Sequence, residues 1–133
     1  MTVIEEDLVA YLRENSSIAA LVGDDIMPLV LDQDPSLPAL VYQRVDGPRE
    51  GSQDGPSGLA HPRIQFSCWD ETHLGALTLA SALRIALDGF RGTMSGRLIS
   101  GIKIVNDLDD YDSMTGRYRV IVDAIVWHRE EVA

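Results

Sequence analysis

Ala39-Leu40-Val41-Tyr42-Gln43-Arg44-Val45 and Arg63-Ile64-Gln65-Phe66-Ser67-Cys68-Trp69 are the two stretches whose reading decides the fold. In the first, Val41, Gln43 and Val45 alternate with Leu40, Tyr42 and Arg44. In the second, Ile64, Phe66 and Cys68 alternate with Arg63, Gln65 and Ser67. A period of two is that of a half-buried strand, so each stretch predicts a strand with one face on a core. Between them Gly47 to Ala60 reads Gly-Pro-Arg-Glu-Gly-Ser-Gln-Asp-Gly-Pro-Ser-Gly-Leu-Ala. Its glycines and prolines exclude a helix. A simple hairpin needs only two to five residues there, so the reading is a long polar loop that serves as a docking arm.

Outward from this pair, Thr2 and Glu5 form a capping box for a first helix with Ile4, Leu8, Tyr11 and Leu12 on one face. A short second helix follows, with Ser17 as cap, Ile18, Leu21 and Val22 as its apolar face and Gly23 as its stop. Ile26 to Leu31 reads as a short strand, and Pro28 within it argues for a sheet edge. Asp32 to Pro38 is a turn. Downstream, Asp70 caps the longest helix, which runs to Asp88 with Ala76, Leu79, Ala80, Leu83, Ala86 and Leu87 as a core stripe, and Gly89 ends it. Thr93 to Gly96 is a turn and Arg97 to Val105 a strand. The last strand, Tyr118 to His128, has Tyr118, Val120, Val122, Ala124 and Val126 on one side and a mixed set on the other, as a central strand would. The fold class is α+β: one domain with a mostly antiparallel sheet covered by one long and one or two short helices, and a long loop between two strands.

The chain has 133 residues, enough to bury a core without disulfides or metals, and its single cysteine, Cys68, excludes an internal disulfide. It carries neither a signal-peptide pattern nor an apolar run of membrane-spanning length, which reads as a soluble protein made in a cytoplasm. The net charge of −10 is uneven: −7 over residues 1–37, +1 over 38–106 and −4 over 107–133. Nucleic-acid binding requires clustered Lys and Arg, so DNA is not the expected ligand. Acidic ends of one copy could instead meet Arg44, Arg49, Arg63 or Arg91 in the middle of the next.

No catalytic, cofactor or metal pattern emerges. Asp107, Asp109, Asp110 and Asp112 form the densest acidic cluster, read as a loop before the last strand, but an EF-hand counted from Asp107 finds Asp112 where glycine belongs and Tyr118 where the closing carboxylate belongs. Cys68 falls on the buried face, and His61, His73 and His128 are too scattered for a zinc site. Hydrolase, nucleotide and dinucleotide signatures are absent.

Several segments in order resemble the tail-completion, or tail-terminator, family of long-tailed bacteriophages, prophages and gene transfer agents. They are Ala19-Ala20-Leu21-Val22-Gly23-Asp24, Leu37-Pro38-Ala39-Leu40-Val41-Tyr42-Gln43-Arg44, Asp54-Gly55-Pro56-Ser57-Gly58-Leu59, Gln65-Phe66-Ser67-Cys68-Trp69, Leu87-Asp88-Gly89-Phe90-Arg91-Gly92, Asp110-Tyr111-Asp112, Tyr118-Arg119 and Val126-Trp127-His128-Arg129. The resemblance implies a single tail-terminator-like domain over residues 1–133, with 47–60 protruding. It implies a virion structural protein without enzymatic activity or cofactor, forming a homo-oligomeric ring of six on the head-proximal end of the tail tube. Its partners would be the major tail-tube protein and a head-tail connector or stopper protein, with neither membrane nor sequence-specific nucleic acid among them. It would reside in the virion tail, and in the bacterial host cytoplasm during assembly. Exposure and loop length select Pro48, Arg49, Glu50, Gln53, Asp54, Ser57, Leu59, Asp109, Asp110, Tyr111 and Asp112 as interface residues. Another phage neck component, or a small cytosolic metal-binding protein or enzyme, is the alternative.

Overall fold

The computed structural model describes the backbone of residues 3–46, 49–52 and 55–129 and the side chains of residues 3–45 and 60–129. Helix α1 (Ile4–Glu14) buries Ile4, Leu8, Val9 and Leu12. Its cap is Val3, which makes no side-chain bond to the first turn; Thr2 lies outside the described residues. Glu5, Glu6 and Asp7 occupy the first turn, where the positive end of the helix dipole favours them. Helix α2 (Ser16–Val22) is capped by Asn15, not Ser17: the Asn15 side-chain oxygen accepts from the Ser17 and Ile18 amides at 3.0 and 3.1 Å. An amide oxygen just upstream satisfies two first-turn donors at once, so Ser17 belongs to the helix instead.

Strand β1 (Ile26–Pro28) pairs in parallel with β2 (Ala39–Asp46) and is the sheet edge that Pro28 implied. β2 pairs antiparallel with β5 (Arg63–Asp70), setting Tyr42 opposite Phe66 and Leu40 opposite Cys68. The segment between them is not an irregular loop. It holds β3 (Arg49–Ser52) and β4 (Gly55–Ala60), an antiparallel hairpin with Gly51 opposite Pro56 and Ser52 opposite Gly55. The signal for it was the Asp54-Gly55 dipeptide, a short-hairpin marker.

Helix α3 (His73–Leu87) begins one residue after its cap, Thr72, whose hydroxyl oxygen accepts from the Gly75 amide at 3.0 Å. The Asp70 carboxylate accepts from Glu71 instead and lies over Gly75, where a side chain would collide with it. The stripe Ala76, Leu79, Ala80, Leu83 and Leu87 is buried, and Gly89 after the helix takes a φ of 80°. Short β6 (Gly92–Met94) pairs with the start of β7 (Arg97–Asp112). β7 continues seven residues beyond the expected end at Val105, pairing with β8 (Arg117–Arg129) from Ile99 opposite His128 to Asp112 opposite Arg117. Asp107 to Asp112 are therefore strand residues, not a loop; cross-strand pairing with the well-formed last strand overrides the low strand propensity of aspartate.

β8 is the central strand, with β5 on one side and β7 on the other. The main sheet runs β1, β2, β5, β8, β7, β6. β4 joins at the far end of β8, where Leu59 faces Arg129 and Ala60 faces His128. Because His128 also pairs with Ile99, β4 lies on the β5 side. The helices cover one face, where Ile64, Phe66, Cys68, Val120, Val122, Ala124 and Val126 meet Leu8, Leu12, Ile18, Leu79 and Leu83 in one core. The other face of the sheet carries Gln43, Gln65, Asp123 and Ile121, and bulges after Arg44, Ile99 and Ile104 bend its strands.

Candidate functional site

The residues selected from the sequence fall into two groups at opposite ends of β8. Arg119, opposite Asp110, and Arg129, opposite Leu59, are about 33 Å apart along an extended strand. At one end the β3–β4 hairpin leaves the sheet after touching β8 at two positions, and β3 pairs with β4 alone. Arg49, Glu50, Ser57 and Leu59 lie on its described backbone; Pro48, Gln53 and Asp54 lie outside the described residues.

At the other end the acids of β7 are committed inside the chain. Asp107 accepts from Arg84 at 3.0 Å and Asp109 meets His73 at 2.8 Å, so both fasten β7 to α3. Asp110 accepts from Arg119, whose guanidinium also lies 5.0 Å from the centre of the Trp69 ring. The hydrogen bonds from Arg119 hold the Asp110 carboxyl below its usual range. Asp112 accepts from the Met114 amide at 3.0 Å and shapes the turn. Tyr111 is about half exposed and packs against the Tyr118 ring at 4.8 Å. Most of this acidic row is thus compensated locally.

Two of the arginines proposed to meet another copy are also engaged: Arg44 with Glu5, and Arg63 with Asp123 at 2.7 Å. The second Asp123 oxygen is buried without a hydrogen-bond partner among the described residues, on the face of the sheet away from the helices, beside the Gln43–Gln65 side-chain bond of 3.2 Å. Arg91 remains exposed. It lines a cleft of about 390 Å³ together with His61, Lys103, Trp127 and His128, at the base of the β3–β4 hairpin. Among the described residues neither Arg91 nor Lys103 has an ion-pair partner, and the His61 and Trp127 rings stack with centroids 6.4 Å apart. Sequence reasoning missed this cleft because its walls come from four separated segments. The only local hint was Trp127 on the mixed side of the last strand.

Cys68 is fully buried and burial pushes its thiol up to about 12, far from a nucleophile's range. Among the described residues no group of three His, Cys, Asp or Glu is placed to hold a metal, and no helix is long and apolar enough to cross a membrane. What the geometry provides is surface: the β3–β4 hairpin at one end of β8 and a cationic cleft at its base.

The model of the Tail completion protein gp17 family matches residues 6–129. The chain belongs to this family of tail completion proteins. It is accordingly a phage tail protein with a structural role. Seven chains of solved structures match the fold. One of them, from the virion of a native gene transfer agent particle, is 16% identical with a TM-score of 0.72, and the match covers 97% of this chain and 99% of that one. No curated protein matches the sequence. At that identity the structural likeness speaks for the fold, and the family match carries the assignment to tail completion.

Proposed function

We propose that this tail completion protein closes the head-proximal end of the tail tube as a ring of six copies and offers the surface to which the head connector docks. The observation that carries this reading is the separation of two unlike surfaces on one sheet. The hairpin and cleft lie at one end of β8, and the sheet runs to a different edge at β1. Unlike surfaces on one subunit suit head-to-tail contacts, and such contacts close into a ring when the rotation permits. The β3–β4 hairpin supports it further, because a two-stranded hairpin on its own is marginal in water and gains stability from a partner. In this reading the hairpin residues, with the exposed Tyr111 end of β7, contact the tube protein, the connector or the next copy.

The test is electron microscopy of particles made without the gene. Capping requires tails of unregulated length that fail to join heads, restored by supplying the protein. Tails of normal length that lack only heads would move the protein to the connector side of the neck.

A further inference from the structure

The cationic cleft at the end of β8 and the acidic loop that follows the edge strand β1 lie in different parts of the sheet, and the charges of Arg91, Lys103, Asp32 and Asp34 have no ion-pair partner among the described residues. β1 and β7 are separated by β2, β5 and β8, about 19 Å at ordinary strand spacing. Directly after β1 the chain exposes two neighbouring apolar side chains, Leu29 at 68% and Val30 at 73%. Asp32 and Asp34 follow, both exposed and without an ion pair among the described residues. Leu29 has a φ of 67°, a left-handed conformation that a leucine adopts at a cost, and its amide is locked to the Tyr42 carbonyl at 2.8 Å. The fold therefore holds an apolar side chain out into water at an energetically unfavourable position.

At the end of β8, Arg91 and Lys103 line the 390 Å³ cleft together with the stacked Trp127 and His61 rings. An apolar pair followed by two carboxylates on one side, and aromatic walls with two unpaired cations on the other, are complementary in both polarity and charge. Resting on the ring reading above, we infer that the Leu29–Asp34 loop of one copy seats in the Arg91–Lys103 cleft of the next. Leu29 and Val30 pack toward Trp127, and Asp32 and Asp34 meet Arg91 and Lys103. The contact is heterologous, so each copy uses its loop once and its cleft once. The acids of β7, already held by Arg84, His73 and Arg119, take no part.

A charge swap on the full chain tests this. One variant carries Asp32→Lys and Asp34→Lys, the other Arg91→Glu and Lys103→Glu. Each alone sets like charges against each other at every junction, whereas an alternating mixture restores opposite charges at every junction. Sedimentation of wild type, each variant and the equal mixture reads the outcome, with thermal melting to show that both variants keep the wild-type transition. The expected result is oligomer for wild type and for the mixture and loss of oligomer for each variant alone. Variants that assemble as wild type does, a mixture that stays monomeric, or a wild type that never associates would each overturn the contact. The two readings fail differently. A wrong contact leaves particles built with the reversed variants still capped by rings, whereas a wrong capping reading leaves tails of normal length when the gene is absent.

Discussion

Two of the molecule's antiparallel hairpins differ in what surrounds them. The long one, β7–β8, has β5 along one side and α3 across its face, and its β8 strand supplies Val120, Val122, Ala124 and Val126 to the core. The other, β3–β4, is paired with the rest of the sheet, among the described residues, only at two positions of β8. Strand pairing gives each hairpin its backbone hydrogen bonds, but only burial of an apolar face contributes net stability of any size. The comparison separates what holds this protein together from what it presents to other molecules.

Ways of breaking the embedded side give the largest effects. Arg97, at the start of β7, donates to Asp7 of α1 at 2.6 Å, and both groups are largely buried, Asp7 being 1% exposed. Arg97→Ala removes this partner from a buried carboxylate and is expected to cost about 3–5 kcal/mol in denaturant unfolding. Replacing Asp7 by Leu and Arg97 by Met together should recover much of the loss. If the double replacement is worse than Arg97→Ala, the pair contributes more than mutual compensation.

Next comes the core stripe of α3. Leu83→Ala should cost about 2–5 kcal/mol, because Leu83 is wholly buried. Ile85, two positions on and 83% exposed, should change stability by less than about 0.5 kcal/mol when truncated. Equal losses at the two sites would mean that the helix packs through a different face. Cys68 reports either event, since its buried thiol reacts with a maleimide only when the sheet opens.

A smaller effect sharpens the reading of the acidic strand. Because Arg119 depresses the folded-state pKa of Asp110, the pair's contribution is present above the unfolded carboxylate value near about 4 and is lost as the pH falls through the lower folded value. Asp110→Asn should therefore destabilise slightly at neutral pH, and the difference from wild type should vanish on acidification. A difference that grows toward low pH would contradict the pairing.

Much of the embedded region was legible in the sequence. The alternation in Ala39–Val45, Arg63–Trp69 and Tyr118–His128 marked three of the sheet's strands, and the leucine and alanine stripe marked α3, because burial on one face imposes a period. The caps of α2 and α3 were misplaced by two residues, since Asn15 and Ser17, and likewise Thr72 and Asp70, are both acceptors close to the helix start. The acids of β7 read as a loop because composition speaks for solvent exposure, whereas their strand geometry comes from β8, and their pairing with Arg84 and His73 spans 23 and 36 residues. The β3–β4 hairpin was hidden for the opposite reason: its sequence has no apolar period to read. The cationic cleft had no sequence signature at all, being made where Arg91, Lys103 and Trp127 are brought together by the register of β7 on β8.

The most direct test of the division between the two hairpins is to delete residues 49–58 and measure both thermal stability and incorporation into tails. The account expects a transition within a few degrees of wild type, on the order of 1 kcal/mol or less, together with tails that are neither length-controlled nor joined to heads. A deleted chain that unfolds, or one that completes tails normally, would contradict it.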